Sequence, residues 1–193
     1  MIKEDIEPKL NDVLQRFNMD ANQWSEFISN FREKLYLLFE TNSYNKLLKA
    51  LFSSNDLNEF NSYVFEALFA YDFQSKNQPL LYEIKQLSGN DSSVDFCYKV
   101  DDQKTINFEL RLVKQRKYIT ESIKSQLNSI KSFEIILNGE DERDDTIRIQ
   151  NLILSKCQKD DGTPIKFGKP EKDTYNFIVV NLSEIHLGMV DKI

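Results

Sequence analysis

Residues 92–115 read SSVDFCYKVDDQKTINFELRLVKQ. Asp95 falls on one expected strand, and Glu109 and Arg111 on the next. Alternate residues of a strand share a face. Ile106, Phe108, Leu110 and Leu112 therefore point one way, and Asn107, Glu109 and Arg111 the other. Glu109 and Arg111 then stand about 6.5–7 Å apart, twice the rise per residue. On the preceding strand, Ser93, Asp95 and Cys97 oppose the set Val94, Phe96 and Tyr98. VDDQK has the length and polarity of a hairpin turn, and a tight hairpin can bring Asp95 beside Glu109. Two neighbouring carboxylates repel unless a cation joins them. A hard divalent cation such as Mg²⁺ takes oxygen ligands and keeps several waters, so one or two carboxylates suffice. Such an ion lowers the pKa of a bound water and neutralises charge on a phosphoryl group. A nearby cationic side chain can orient the water or stabilise developing charge. The plain alternative is a half-buried strand whose polar face is simply wet.

The elements that would position these residues follow from hydrophobic spacing. Ile6–Phe17, residues 23–40, Lys46–Phe52 and Leu57–Phe73 have apolar residues every three or four positions, as in amphipathic helices. Asp20 or Asn22 can cap the second of these. In the fourth, Glu59 and Glu66 are seven apart and project in nearly the same direction. Strands are predicted at Leu80–Ile84, Ser93–Val100 and Thr105–Val113, and helices at Arg116–Leu137 and Asp141–Cys157. The first of these helices is expected to stop at Asn138-Gly139. The run YNFIVVNL (Tyr175–Leu182) reads as a strand buried on both faces. The order predicts an α/β layer fold, helices packed on a mixed sheet. A polar break, SSNDLNEF, suggests a helical N-terminal subdomain at 1–55 and an α/β core at 56–193.

This pattern resembles the PD-(D/E)XK nuclease superfamily, the restriction-endonuclease-like fold. "VFEALFAYDFQSKNQPLLYEI" matches its first helix and strand, with Glu66 facing inward; "SSVDF" supplies Asp95; "INFELRLV" supplies Glu109-x-Arg111. The following helix carries Gln126, where some branches have a glutamine. The resemblance covers about residues 56–137. It implies Mg²⁺-dependent hydrolysis of DNA phosphodiesters, with Mn²⁺ as a substitute. Asp95 and Glu109 would hold the metal, Glu66 would support it, and Arg111 would stabilise the attacked phosphate. Arg111 stands where the family usually has lysine. Arginine does not give up its proton near neutrality, so it is no general base. That departure leaves a second reading: a catalytically inactive nuclease-fold module that binds nucleic acid or protein. A rival register, Glu83-x-Lys85 with Asp72 upstream, lacks a hairpin to join its acids.

Composition excludes several other classes. None of the five glycines are spaced for GxGxxG or a Walker loop. Two cysteines and one histidine fall short of a four-ligand zinc site and support no disulfide framework. A reducing cytosol suits them, and the cytoplasm is the expected compartment. MIKEDIEPKL lacks a signal-peptide core, and no stretch approaches a membrane span. The net charge of −6 argues against a general nucleic-acid coat. Lys114, Arg116, Lys117 and Lys124, with Tyr118, form a candidate phosphate-tracking patch or a solvated helix face. The acidic run 139–145 reads as helix-start charge rather than a Ca²⁺ loop. His186 reads as structural or exposed, and the aromatic N-terminal helices as core or a homodimer face.

Overall fold

The structure, a computed structural model, describes residues 5–19, 25–85, 93–130, 132, 134, 139–157, 162–163, 165–167 and 171–183. The caps expected at Asp20, Asn22 and Asn138, along with Trp24 and His186, lie outside them. In chain order the elements are α1 (Ile6–Arg16), α2 (Ser25–Glu40), α3 (Asn45–Ser53), α4 (Leu57–Gln74), β1 (Leu81–Lys85), β2 (Ser93–Lys99), β3 (Thr105–Leu112), α5 (Lys117–Ile130), α6 (Gly139–Cys157) and β4 (Thr174–Asn181). The strands form one mixed sheet in the order β1-β2-β3-β4, flanked by helices. β1 and β2 are antiparallel, as are β2 and β3. Thr105 N–H donates to Asp173 O and Val113 N–H to Asn181 O. The two bonds advance together along both chains, so β4 runs parallel to β3.

Contacts divide the chain into two compact units. The first comprises Met1–Leu110 with Phe167–Val179, and the second Arg111–Lys166 with Val180–Ile193. The division expected between residues 55 and 56 falls inside the first unit. There, the apolar stripes of α1 to α3 (Leu10, Phe31, Leu35, Leu48 and Leu51 among them) share one core with Phe60, Ala67 and Ala70 of α4 and with Leu80, Phe96 and Leu110. Two alanines on its buried face let α4 lie close to its neighbours. Asp56 caps α4: its Oδ1 accepts the Asn58 and Glu59 N–H groups at 2.8 and 3.0 Å. The predicted hairpin turn forms between β2 and β3, where Asp101 Oδ1 accepts the N–H groups of Gln103 and Lys104. Those two donors hold the Asp101 carboxyl below the usual carboxylate range.

A tyrosine hydroxyl is sealed inside this core. Tyr44 is fully buried, and its hydroxyl oxygen accepts the Leu80 N–H at 3.0 Å. Burial holds that hydroxyl above its ordinary pKa. Tyr44→Phe keeps the ring and strands a buried amide. The expected loss is about 1–3 kcal/mol in urea denaturation. An unchanged midpoint would mean that the Leu80 amide finds another acceptor.

In the second unit, Val113 and Ile119 are buried, and Asp145 on α6 is nearly sealed from solvent. Its Oδ1 accepts Arg116 Nε at 2.8 Å and lies 3.0 Å from Arg148 Nη2. Arg148 Nη1 also donates to Lys114 O at 2.8 Å. Asp145 thus ties the link between β3 and α5 to α6.

The expectation that the last strand is buried on both faces is corrected. Among the described strands β4 is an edge of the sheet, and Tyr175 and Phe177 are each 50% exposed. The apolar run arises because one face still packs: the Phe177 ring stacks on Phe108 at 6.0 Å, and Val179 meets the core.

Candidate carboxylate site

The register across three strands sets the geometry. The β1–β2 ladder pairs Tyr82 with Phe96 and Ile84 with Val94, passing over Glu83 and Asp95. The β2–β3 ladder ends with Phe96 opposite Phe108. One further step in the same registers sets Asp95 opposite Glu83 on one side and opposite Glu109 on the other. In those registers three carboxylates fall in one row, which the β1–β2 ladder skips and which lies just past the end of the β2–β3 ladder. Like charges directly opposite each other destabilise a sheet. Glu83 adopts φ of 52°, the left-handed region that a non-glycine residue enters at a cost. Its carboxylate forms an ion pair with Lys46 of α3. Asp95 Oδ2 accepts the Leu110 N–H at 2.7 Å, so a side chain takes the place of a main-chain acceptor in the gap between strands.

Alternation gives each sheet face its character. Phe96 and Phe108 point towards α4, where Phe69 meets both rings at 5.5 and 5.2 Å. Asn107 and Glu109 point to the other face, and it is not wet: they are 1% and 0% exposed. Asn107 Nδ2 donates to Asn176 Oδ1 on β4 at 2.9 Å. A simply solvated polar face is therefore excluded at these two positions.

Glu66 projects from α4. The Tyr82 hydroxyl donates to Glu66 Oε2 at 2.8 Å, and the Tyr82 ring packs on Phe96 at 5.3 Å. Burial raises the Tyr82 pKa far above its usual value; the charge and hydrogen bond of Glu66 raise it further, as do the charges of Glu83 and Asp95. Tyr63 is raised as well, first by burial and then by Glu66, Glu59 and Glu83. Glu66, Glu83 and Asp95 therefore all act on one tyrosine hydroxyl. Nothing in the sequence reading singled out Tyr82; its place two residues after buried Leu80 on a strand marks it as inward-facing, but not as a donor to an acid.

No protein-family model, curated protein or solved structure matches the chain.

The remaining candidates lie elsewhere. Arg111 is the first residue of the second unit and is half-buried. Gln126 on α5 donates through Nε2 to Ser122 Oγ and Glu134 O, and accepts the Glu134 N–H at 2.8 Å. Its amide holds main chain. Within the rival pair, Glu83 is engaged by Lys46 and Lys85 is exposed at the strand end. Of the basic patch, Lys114, Lys117 and Lys124 are exposed, but the Arg116 side chain is only 16% exposed and is bound to Asp145. Cys97 and Cys157 are both free thiols. No helix of the described residues is long and apolar enough to cross a membrane.

Among the described residues, no group of three or more His, Cys, Asp or Glu side chains is arranged to hold a metal ion. Glu66 comes from the α4 side, Glu109 lies on the opposite face, and Asp95 is turned into the gap between strands. A hard cation that keeps most of its waters needs fewer ligands. Asp95 and Glu109 would supply two carboxylates of the kind such an ion takes, while Glu66 stands apart from them on the α4 side.

Proposed function

We propose that this protein is a metal-dependent nuclease of the restriction-endonuclease-like type, hydrolysing DNA phosphodiester bonds. The reading is carried by the β2–β3 register, which continued one step past Phe96–Phe108 sets Asp95 opposite Glu109. The strand order and the parallel β3–β4 pair support the same fold type. Asp95 and Glu109 would hold Mg²⁺ or Mn²⁺, with Glu66 in support. When bound, the ion supplies a water of lowered pKa and neutralises phosphoryl charge. The protein contributes orientation: the Leu110 N–H fixes Asp95, and Tyr82 fixes Glu66. The burial of Glu109 keeps bulk water from its carboxylate and strengthens electrostatic interactions there.

The test is cleavage of linear and supercoiled DNA by the full chain with Mg²⁺, Mn²⁺ or EDTA, wild type against Glu109→Gln. Metal-dependent cleavage that falls on the order of 100-fold or more in the variant supports the reading. Equal cleavage by both proteins, or none with either metal, rejects it. The second reading, an inactive nuclease-fold binding module, is favoured by the full burial of Glu109 and by arginine at position 111. It predicts salt-sensitive DNA retardation in a gel without cleavage.

A further inference from the structure

We propose that the open edge of β4 is a dimer interface, where a second copy of this chain lays its own β4 antiparallel to the first, centred on Asn176. The inference stands apart from the nuclease reading. The sheet has two edges among the described strands, and they differ. β1 is five residues long, two of them charged (Glu83 and Lys85), and Glu83 breaks its run with a φ of 52°. Short length, charge and distortion keep an edge from pairing with another chain. β4 is eight residues long and has none of them: no charged residue and no proline stands between Thr174 and Leu182. The main-chain groups on its outer side can be placed. Asp173 O and Asn181 O accept the N–H groups of Thr105 and Val113, at the two ends of β3. Main-chain groups alternate in direction along a strand. Tyr175 and Phe177 therefore turn theirs towards β3, and Asn176 and Ile178 turn theirs outward. Tyr175, Asn176 and Phe177 are all exposed, so the edge is open here.

This edge is complementary to itself. A two-fold axis normal to the sheet at Asn176 sets Asn176 opposite its counterpart and Tyr175 of each copy opposite Phe177 of the other, as a self-complementary interface requires. Opposed residues of an antiparallel pair share a face. Tyr175 and Phe177 lie on the face where Phe177 stacks on Phe108, so the half-exposed rings of the two copies cover each other. Aromatic cross-strand pairs stabilise a sheet. On the other face, Asn176 Oδ1 accepts from Asn107, which leaves Asn176 Nδ2 to donate to the same amide of the second copy. Charge selects the same occupant. The chain carries a net charge of −6, so two copies meet best along an uncharged strand, where no like charges oppose each other. A charged peptide would find no counter-charge there.

Sedimentation equilibrium of the full chain tests this in wild type, Tyr175→Lys and Ile178→Pro, at concentrations up to the order of 100 µM, as suits a small interface. Wild type is expected to dimerise. Tyr175→Lys sets a charge against the Phe177 ring of the other copy, although it lowers the net charge that drives copies apart. Ile178→Pro removes one outward N–H and leaves the bonds to β3 in place. Each is expected to weaken dimerisation about 10-fold or more. A monomeric wild type overturns the proposal, as does a dimer that neither variant weakens, since its contact then lies elsewhere, on the N-terminal helices for instance. Disulfide trapping in a Cys157→Ser background reads the register. A mixture of the Tyr175→Cys and Phe177→Cys chains is expected to cross-link, and neither chain alone. A mixture that does not cross-link overturns the pairing centred on Asn176. Should Ile178→Pro not fold, Tyr175→Lys and the trapping decide, because Tyr175 is half exposed and its replacement leaves the core untouched.

Discussion

Asp95→Asn is expected to lower metal-supported DNA cleavage by a factor on the order of 10²–10³, the scale of losing one preorganised electrostatic contact at a reacting phosphate. It should leave folding stability within about 0.5 kcal/mol. The two effects separate because Asp95 has two tasks. Its Oδ2 accepts the Leu110 N–H at 2.7 Å in the gap between β2 and β3. An asparagine oxygen can accept the same bond, so the strand gap keeps its closure. What it lacks is the negative charge opposite Glu109. Asp95→Ala removes both. Leu110 is almost fully buried, so its amide would be stranded at a cost of about 1–3 kcal/mol. Urea denaturation together with the cleavage assay reads both quantities on each variant. Should the asparagine variant cleave like wild type, Asp95 is a structural acceptor and nothing more.

Several parts of this arrangement were legible before any coordinates. The alternation in INFELRL separates Phe108 and Leu110 from Asn107 and Glu109, and the turn VDDQK fixes the hairpin length. Together they allow the hairpin register in which Phe96 stands opposite Phe108. Alternation did not reveal that the polar face is buried as well. It says which residues share a side and cannot say what covers that side, and Asn107 is closed in beside Asn176, which lies 69 positions further along the chain. The α1–α3 stripes were readable as helices, yet a helix stripe does not name its partner. The polar SSNDLNEF break was read as a boundary, whereas Asp56 within it caps α4 and the chain continues into the same core. The β4 run misled because apolar content was read as two-sided burial, when sheet order makes β4 an edge. Glu83 gave no warning at all: its positive φ stands at the position that the β1–β2 ladder skips, which strand alternation does not reveal.

The largest stability effect is expected at Phe96. Its side chain is fully buried, lying between the Phe69 ring of α4 at 5.5 Å and the Tyr82 ring of β1 at 5.3 Å. Phe96→Ala removes the ring that joins helix to sheet, and the neighbours on either side belong to different elements that cannot both collapse into the gap. The cost should reach about 3–5 kcal/mol in urea denaturation. Phe96→Leu keeps most of the volume and should cost less than about 1.5 kcal/mol.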